Sequence, residues 1–175
     1  MLLLRIIAFT MLIPGAVTVG VPYVLLHSDL ACPLHAWNTL RVLGVFPLIV
    51  GVAAYLWCTW DFAGAGKGTP APYDPPRVLV TRGLYRLVRN PIYVGVVLIV
   101  LGEALIFDTL TLVVYAATLL VLFHLRIVFY EEPRLKKKFG ASYDVYCRTV
   151  PSWLPLTSSP SPAPAEREGS GYEDS

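Results

Sequence analysis

Residues 91–130 read PIYVGVVLIVLGEALIFDTLTLVVYAATLLVLFHLRIVFY, and this stretch decides the fold. It contains two apolar runs, residues 91–107 and about 109–130, with almost nothing between them except Asp108. Each run is about long enough to cross a hydrocarbon core of roughly 30 Å as a helix. The stretch therefore predicts a tight hairpin of two membrane-spanning helices that turns around Asp108.

Two further apolar runs precede the hairpin, residues 2–26 and residues 40 to about 60. The chain is 55% hydrophobic and only 15% charged, with a mean hydropathy of +0.60, whereas a soluble domain needs more polar surface. A cleaved signal peptide is the alternative for the first run, but the run is long and no clear A-x-A site follows it. We expect an all-α, polytopic membrane helix bundle of about four transmembrane helices.

The positions of Lys and Arg predict the orientation of the bundle. Five lie within residues 61–90 and five within residues 131–156, but none lies within residues 27–39. Because cytoplasmic loops are enriched in Lys and Arg, this asymmetry predicts that both termini are cytoplasmic. We expect one membrane-embedded domain over residues 1–156 and a disordered polar tail over residues 157–175, where Ser, Pro, Glu and Gly dominate.

Charge and cysteine usage exclude several other classes of function. The formal net charge of +2 is too small to indicate a nucleic-acid partner. The three cysteines have neither CxxC nor Cys/His metal spacing, so we expect free thiols and no metal centre. Residues 64–77, GAGKGTPAPYDPPR, lack the spacing of a nucleotide-binding loop and predict a polar, semi-rigid cytoplasmic loop.

The first segment that is suited to chemistry is residues 82–95, RGLYRLVRNPIYVG. Asn90 is a favoured N-cap and Pro91 a favoured first helical residue, so the third span is expected to begin here. The free N–H groups and the dipole of such a helix end attract anions, and nearby arginines add positive charge. Tyr93 lies on about the same face as Asn90, while Gly95 permits close approach of a helix or a ligand. The structural alternative is a capped helix with arginines that reach the membrane surface.

The second segment is residues 124–146, HLRIVFYEEPRLKKKFGASYDVY. His124 is an ionisable residue near the end of a span, where such residues usually face a polar cavity or the interface. Glu131 and Glu132 place two carboxylates at the membrane surface. Pro133 disfavours a helical conformation at the preceding residue, which predicts a bend or a restart there.

The rest of this segment predicts a short amphipathic helix. The lysines at residues 136–138 are expected to contact lipid headgroups. Phe139, Tyr143 and Tyr146 share one helical face and are expected to lie back on the bundle. The structural alternative is a positively charged membrane anchor in which the neighbouring acids act only as local counter-ions.

Together the two segments resemble the isoprenylcysteine carboxyl methyltransferase and phospholipid methyltransferase superfamily. The resemblance rests on GLYRLVRNPIYVG at residues 83–95, EEPRLKKKFGASYDVY at residues 131–146 and the bacterial-type loop GTPAP at residues 68–72. It covers about residues 64–155. The family often has His where this chain has Asn90, and Asn cannot exchange a proton, so no proton-handling role carries over to that position.

The resemblance implies transfer of a methyl group from S-adenosylmethionine to a lipophilic acceptor, a carboxylate, amine or thiol, at the cytoplasmic interface. The cofactor's carboxylate would suit the helix end at Asn90, and its ammonium, sulfonium and hydroxyls would suit the two glutamates. The catalytic candidates are Glu131, Glu132 and Arg89. The cofactor-binding candidates are Tyr85, Asn90, Pro91, Tyr93, Gly95, His124, Glu131, Tyr143 and Tyr146. The expected partners are membrane lipids and a lipophilic substrate, and the expected location is a bacterial inner membrane.

Two other functions stay open at this point. Membrane sterol reductases use NADPH and have a similar Asn/His-Pro-x-Tyr turn, although the glutamate pair followed by Phe139, Gly140 and Tyr143 fits the methyltransferases better. A non-enzymatic membrane protein, whose polar segments serve topology or partner binding, is the third alternative.

Overall fold

A computed structural model describes residues 13–33, 38–65 and 81–154, and these residues are helical apart from short connections. The only β-bridge among them pairs Pro33 with Thr109, so the all-α prediction is confirmed. A π-helical turn, Ala16–Gly20, leads into the first α-helix, and a 3-10 turn, Gly83–Arg86, precedes the fourth. The α-helices are α1 (Val21–Leu26), α2 (Asn38–Leu43), α3 (Val45–Ala65), α4 (Pro91–Ile106), α5 (Leu110–Arg126), α6 (Glu132–Phe139) and α7 (Ala141–Thr149).

Two helical stretches are long and apolar enough to cross a membrane, Thr39–Asp61 and Leu110–Phe139. Ile13–Leu26 and Pro91–Ile106 are shorter apolar helices. The four apolar runs of the sequence therefore correspond to helices wherever the structure describes them. Within the described ranges, length and composition identify two candidate spans, and the total of four stays a prediction. The first part of the first run, the Gly/Pro loop beyond residue 65 and the tail from residue 155 lie outside the described residues.

Glycines bring α3 and α4 into direct backbone contact. A Cβ atom added to Gly51 would lie 2.6 Å from the carbonyl oxygen of Gly95, and one added to Gly102 would lie 2.7 Å from the backbone nitrogen of Leu48. Small residues permit this close approach between helices in a membrane, where close van der Waals packing drives helix association. The sequence predicted that Gly95 permits close approach of a helix or a ligand, and in the structure Gly95 lies against helix α3. The adjoining core consists of Tyr55, Val96, Val100, Ala116 and Leu119.

Substitution of Gly51 by valine should lower the stability of the bundle. The added side chain would overlap the backbone of α4, and overpacking of a tight core typically costs about 1–3 kcal/mol. The measurement is the thermal unfolding midpoint of the purified protein in detergent. Gly20→Ala is the matched control, because a Cβ atom at Gly20 meets nothing within 4 Å. An equal midpoint for both variants would contradict the close contact between α3 and α4.

The hairpin between α4 and α5 turns at Asp108, as the sequence predicted. Asp108 has a φ of 54°, and its carboxylate forms an ion pair with Arg41 of α2. The backbone N–H of Leu110 donates to the carbonyl of Cys32 at 2.8 Å. These contacts fix the loop between the first two apolar segments against the tip of the hairpin.

The chain stays helical through Pro133, where the sequence predicts a bend or a restart, but the type of helix changes there. α5 passes into a π-helical turn, Ile127–Glu131, and then into α6, with helical backbone angles at Glu131 and Glu132. The N–H of Glu132 donates to the carbonyl of Ile127, five residues earlier. Proline lacks an N–H, and the wider turn accommodates that missing donor without ending the helix. The extra residue in the turn also rotates the following side chains relative to an uninterrupted α-helix.

Candidate active site

Arg89 connects four parts of the chain at the end of the bundle where α4 begins. Its Nη1 donates to Glu132 Oε1 at 2.9 Å and to Cys147 Sγ at 2.8 Å, and its Nη2 donates to Ser152 Oγ. Its backbone N–H donates to the carbonyl of Pro151 at 2.8 Å. The side chain of Arg89 is only 15% exposed and that of Glu132 is 31% exposed, so solvent screens this ion pair weakly.

Glu131 belongs to a second polar cluster, with Tyr93 and Arg126. The hydroxyl of Tyr93 donates to Glu131 Oε1, and Arg126 Nε lies 3.0 Å from the same oxygen and 3.1 Å from the Tyr93 hydroxyl. The ring of Tyr93 stacks on Phe123, with centroids 4.6 Å apart. The cluster therefore joins the first turn of α4 to the end of α5.

The two glutamates are not counter-ions of the adjacent lysines. Glu131 pairs with Arg126 and Glu132 pairs with Arg89, whereas Lys136 pairs with Asp144 at 3.1 Å. The structural alternative from the sequence, in which the acids only neutralise the basic run, does not describe these contacts. Each carboxylate instead has its own guanidinium.

Asn90 precedes the helix as expected but does not cap it. α4 begins at Pro91, yet the side chain of Asn90 makes no capping hydrogen bond. Its Nδ2 instead donates to the carbonyl of Ser152 at 3.3 Å. The predicted N-cap position of Asn90 is therefore confirmed, but its side chain hydrogen-bonds to the segment after α7 instead of to the helix. The side chain of Asn90 consequently does not occupy the N-terminal end of α4.

Tyrosines of α7 form one wall of the same region. The Tyr146 hydroxyl donates to the carbonyl of Tyr85 at 2.7 Å, and the rings of Tyr143 and Tyr146 lie 6.3 Å apart. Burial raises the pKa of both phenols, so they stay protonated near neutral pH. Phe139 packs against the same cluster from the end of α6, but Gly140, with a φ of 53°, separates α6 from α7, so the predicted amphipathic segment is two short helices rather than one.

Two predicted site residues lie apart from these clusters. His124 is exposed, and its Nδ1 accepts a hydrogen bond of 3.3 Å from Trp153 Nε1. Gly95 packs against α3. The other candidates, Tyr85, Arg89, Asn90, Pro91, Tyr93, Glu131, Glu132, Tyr143 and Tyr146, lie in or directly beside the two clusters.

Arg126, Cys147 and Ser152 belong to the clusters but were not proposed as site residues from the sequence. Arg126 reaches Glu131 across the π-helical turn, five residues away, a spacing that an α-helix does not bring together. Ser152 meets Arg89 over a separation of 63 residues, and no local pattern indicates that contact. The ionisable Arg126 near the end of a span was the only signal that could have been followed.

Comparison with known proteins agrees with these motifs. The family described as "Phospholipid methyltransferase" matches residues 39–142. The chain is 36% identical over 85 residues to a "Probable protein-S-isoprenylcysteine O-methyltransferase" of Oryza sativa subsp. indica, and the matched region covers 48% of this chain and 44% of the relative. It is 35% identical over 79 residues to the "Protein-S-isoprenylcysteine O-methyltransferase" of Schizosaccharomyces pombe, and that matched region covers 45% of this chain and 34% of the relative.

A third relative, "Protein-S-isoprenylcysteine O-methyltransferase A" of Arabidopsis thaliana, is 33% identical over 87 residues, or 49% of this chain and 44% of the relative. The chain thus spans less than half the length of these curated relatives. No solved structure matches it significantly. Because the family match covers more than half of the chain and includes the residues around Arg89, Glu131 and Glu132, the chain belongs to the phospholipid methyltransferase family.

Proposed function

We propose that this protein transfers the methyl group of S-adenosylmethionine to a carboxylate of a lipophilic acceptor at the cytoplasmic membrane interface. The observation that supports this most strongly is the pair of adjacent carboxylates, each held by its own arginine, around the start of α4. The relatives are named for O-methylation of S-isoprenylcysteine, an apolar acceptor. We propose that in this chain, too, the atom that accepts the methyl group is an oxygen.

The residues present suit the proposed cofactor. Arg89 Nε is buried and has no hydrogen-bond acceptor among the described residues, so a donor is left for an anionic group. The side chain of Asn90 makes no capping hydrogen bond at the N-terminal end of α4, and such an end favours a carboxylate. Tyr143 presents an aromatic ring for adenine or for the sulfonium, which cation–π attraction would stabilise.

Arg126 is suited to orient the acceptor. Among the described residues, its Nε donates to Glu131 and Tyr93, its guanidinium carbon lies 5.8 Å from the centroid of the Tyr130 ring, and its side chain is 40% exposed. The terminal nitrogens can then bind one oxygen of a carboxylate while the other attacks the methyl carbon in line. S-Adenosylmethionine supplies the methyl group, and its C–S bond breaks as the O–C bond forms. A carboxylate acceptor needs no general base, so Glu131 acts by holding Arg126 and Tyr93.

The experiment that tests this function is a cofactor titration of the purified protein in detergent. We expect S-adenosylhomocysteine to raise the thermal unfolding midpoint and NADPH to leave it unchanged. Stabilisation by NADPH alone would instead favour a membrane reductase. Stabilisation by neither would favour a non-enzymatic role.

Replacement of Arg126 by glutamine should separate acceptor binding from cofactor binding. A hydrogen bond to a charged group contributes about 1.5–3 kcal/mol, so kcat/KM for the acceptor should fall at least about tenfold. The dissociation constant for S-adenosylhomocysteine should change little. Lys137→Gln is the control, since Lys137 is exposed on α6. Loss of cofactor affinity with unchanged acceptor kinetics would contradict this role for Arg126.

We also propose that both termini are cytoplasmic, in a bacterial inner membrane, because the basic residues flank the site end of the bundle. Single cysteines at Ser28 and Lys137, in a chain without its three natural cysteines, test this orientation. We expect an impermeant maleimide to label position 28 on intact cells and position 137 only after permeabilisation. The reverse pattern would refute the orientation.

A further inference from the structure

Asp61 differs from the other acidic residues at the site end of the bundle. Glu131, Glu132 and Asp144 each form an ion pair with a basic residue. Among the residues that the structure describes, Asp61 forms no ion pair, and its Oδ2 is buried without a hydrogen-bond donor. An unsatisfied buried polar atom is costly, and more so when it is charged.

The surroundings of Asp61 are shaped to keep its carboxylate in place. The carboxylate lies against Gly83, which has a φ of 60°, and a Cβ atom at Gly83 would overlap Oδ2. The same Cβ atom would also lie 3.2 Å from Trp57 Nε1. Only glycine therefore suits both the backbone angle and the space at this position.

Asp61 borders the proposed active site through the 3-10 turn Gly83–Arg86, which includes Tyr85. Cys58, one turn before Asp61 on α3, is fully buried, and Tyr85 is only 8% exposed. Burial raises the pKa of Tyr85 most strongly, and Cys58, Tyr93 and Glu131 raise it further. Gly83, against which Asp61 lies, is two residues before Tyr85, and the carbonyl of Tyr85 accepts the hydrogen bond from Tyr146 of the proposed site.

The cationic groups of the proposed cofactor require a carboxylate that is not already paired with an arginine. The proposed cofactor has an ammonium group and a sulfonium, but Arg89 and Arg126 already neutralise Glu132 and Glu131. Building on the proposed function, we infer that Asp61 binds the α-ammonium group of the cofactor's amino-acid end. A charge-assisted hydrogen bond would then satisfy the carboxylate of Asp61.

The test compares two ligands on the full-length protein. One is S-adenosylhomocysteine, and the other is its deaminated analogue, in which hydrogen replaces the ammonium. We expect the wild type to bind S-adenosylhomocysteine at least tenfold more tightly than the analogue. Asp61→Asn should bind both ligands with similar, weak affinity, while the control Asp144→Asn should keep the wild-type preference. The comparison of two ligands on the wild type and on Asp61→Asn is a double-mutant cycle, and it isolates the contact between the Asp61 side chain and the ammonium.

Several outcomes would overturn the inference. Binding by Asp61→Asn as tight and as selective as that of the wild type would overturn it, as would an equal loss of affinity for both ligands with the preference kept. Equal affinity of the two ligands for the wild type would overturn it without any variant, which covers the case in which Asp61→Asn does not fold. Asp61→Glu, which keeps the charge, should retain part of the preference. Failure of the wild type to bind S-adenosylhomocysteine would contradict the proposed function itself.

Discussion

Replacement of Arg89 by alanine is expected to abolish cofactor binding and to destabilise the protein by about 3 kcal/mol. The change removes the partner of Glu132, and an unpaired, partly buried charge typically costs about 3–5 kcal/mol. We take the lower end because Glu132 is 31% exposed. The hydrogen bonds to Cys147 and Ser152 are lost as well, so the segment after α7 loses its anchor on the loop before α4.

Two measurements check the Arg89 prediction, the thermal unfolding midpoint and the dissociation constant for S-adenosylhomocysteine. Arg86→Ala is the matched control, since Arg86 is exposed one turn earlier in the same loop. If Arg89→Ala and Arg86→Ala have the same midpoint and the same affinity, the contacts of Arg89 contribute nothing to either property. The assignment of Arg89 to the site would then be wrong.

Replacement of Glu131 by glutamine is expected to lower the rate of methyl transfer by about tenfold to a hundredfold. Glutamine can still accept one hydrogen bond, but the charge that holds Arg126 and the Tyr93 hydroxyl is lost. Loss of a charge-assisted hydrogen bond costs about 1.5–3 kcal/mol, which corresponds to that range of rates. Glu132→Gln should weaken cofactor binding at least about tenfold, because it removes the charge that faces Arg89.

Lys137→Gln is the surface control for both glutamate variants, because Lys137 is exposed on the adjacent helix. The rate of methyl transfer and the affinity for S-adenosylhomocysteine are measured for all three proteins. Glutamate variants that match the control in both properties would mean that the carboxylates serve only the topology of the chain.

The sequence predicted the features that depend on local rules. Pro91 marks the start of α4, and Asp108 marks the turn of the hairpin, because proline position and an interruption between apolar runs are visible within a few residues. The shared face of Tyr143 and Tyr146 on α7 follows from helical spacing, whereas Phe139 reaches the same cluster from the end of α6.

Features that depend on distant contacts were not predictable. Asn90 occupies the predicted N-cap position, but its side-chain amide donates to a carbonyl 62 residues later and makes no capping hydrogen bond. The π-helical turn before Pro133 brings Arg126 to Glu131, and neither hydrophobic periodicity nor proline rules distinguish such a turn from a break. The Asp61 environment depends on the 3-10 turn at Gly83, which is separated from α3 by residues outside the described part of the chain.

The most direct test of the central claim is methyl transfer itself. Purified protein in vesicles is incubated with S-adenosylmethionine labelled in its methyl group and with a lipid extract that contains apolar carboxylic acids. We expect methyl label in the lipid fraction. Mild alkali should release this label as methanol, as a methyl ester requires, and Glu131→Gln should give a much weaker signal. Alkali-stable label would indicate an amine or thiol acceptor. Absence of label together with stabilisation by NADPH would contradict methyl transfer as the function.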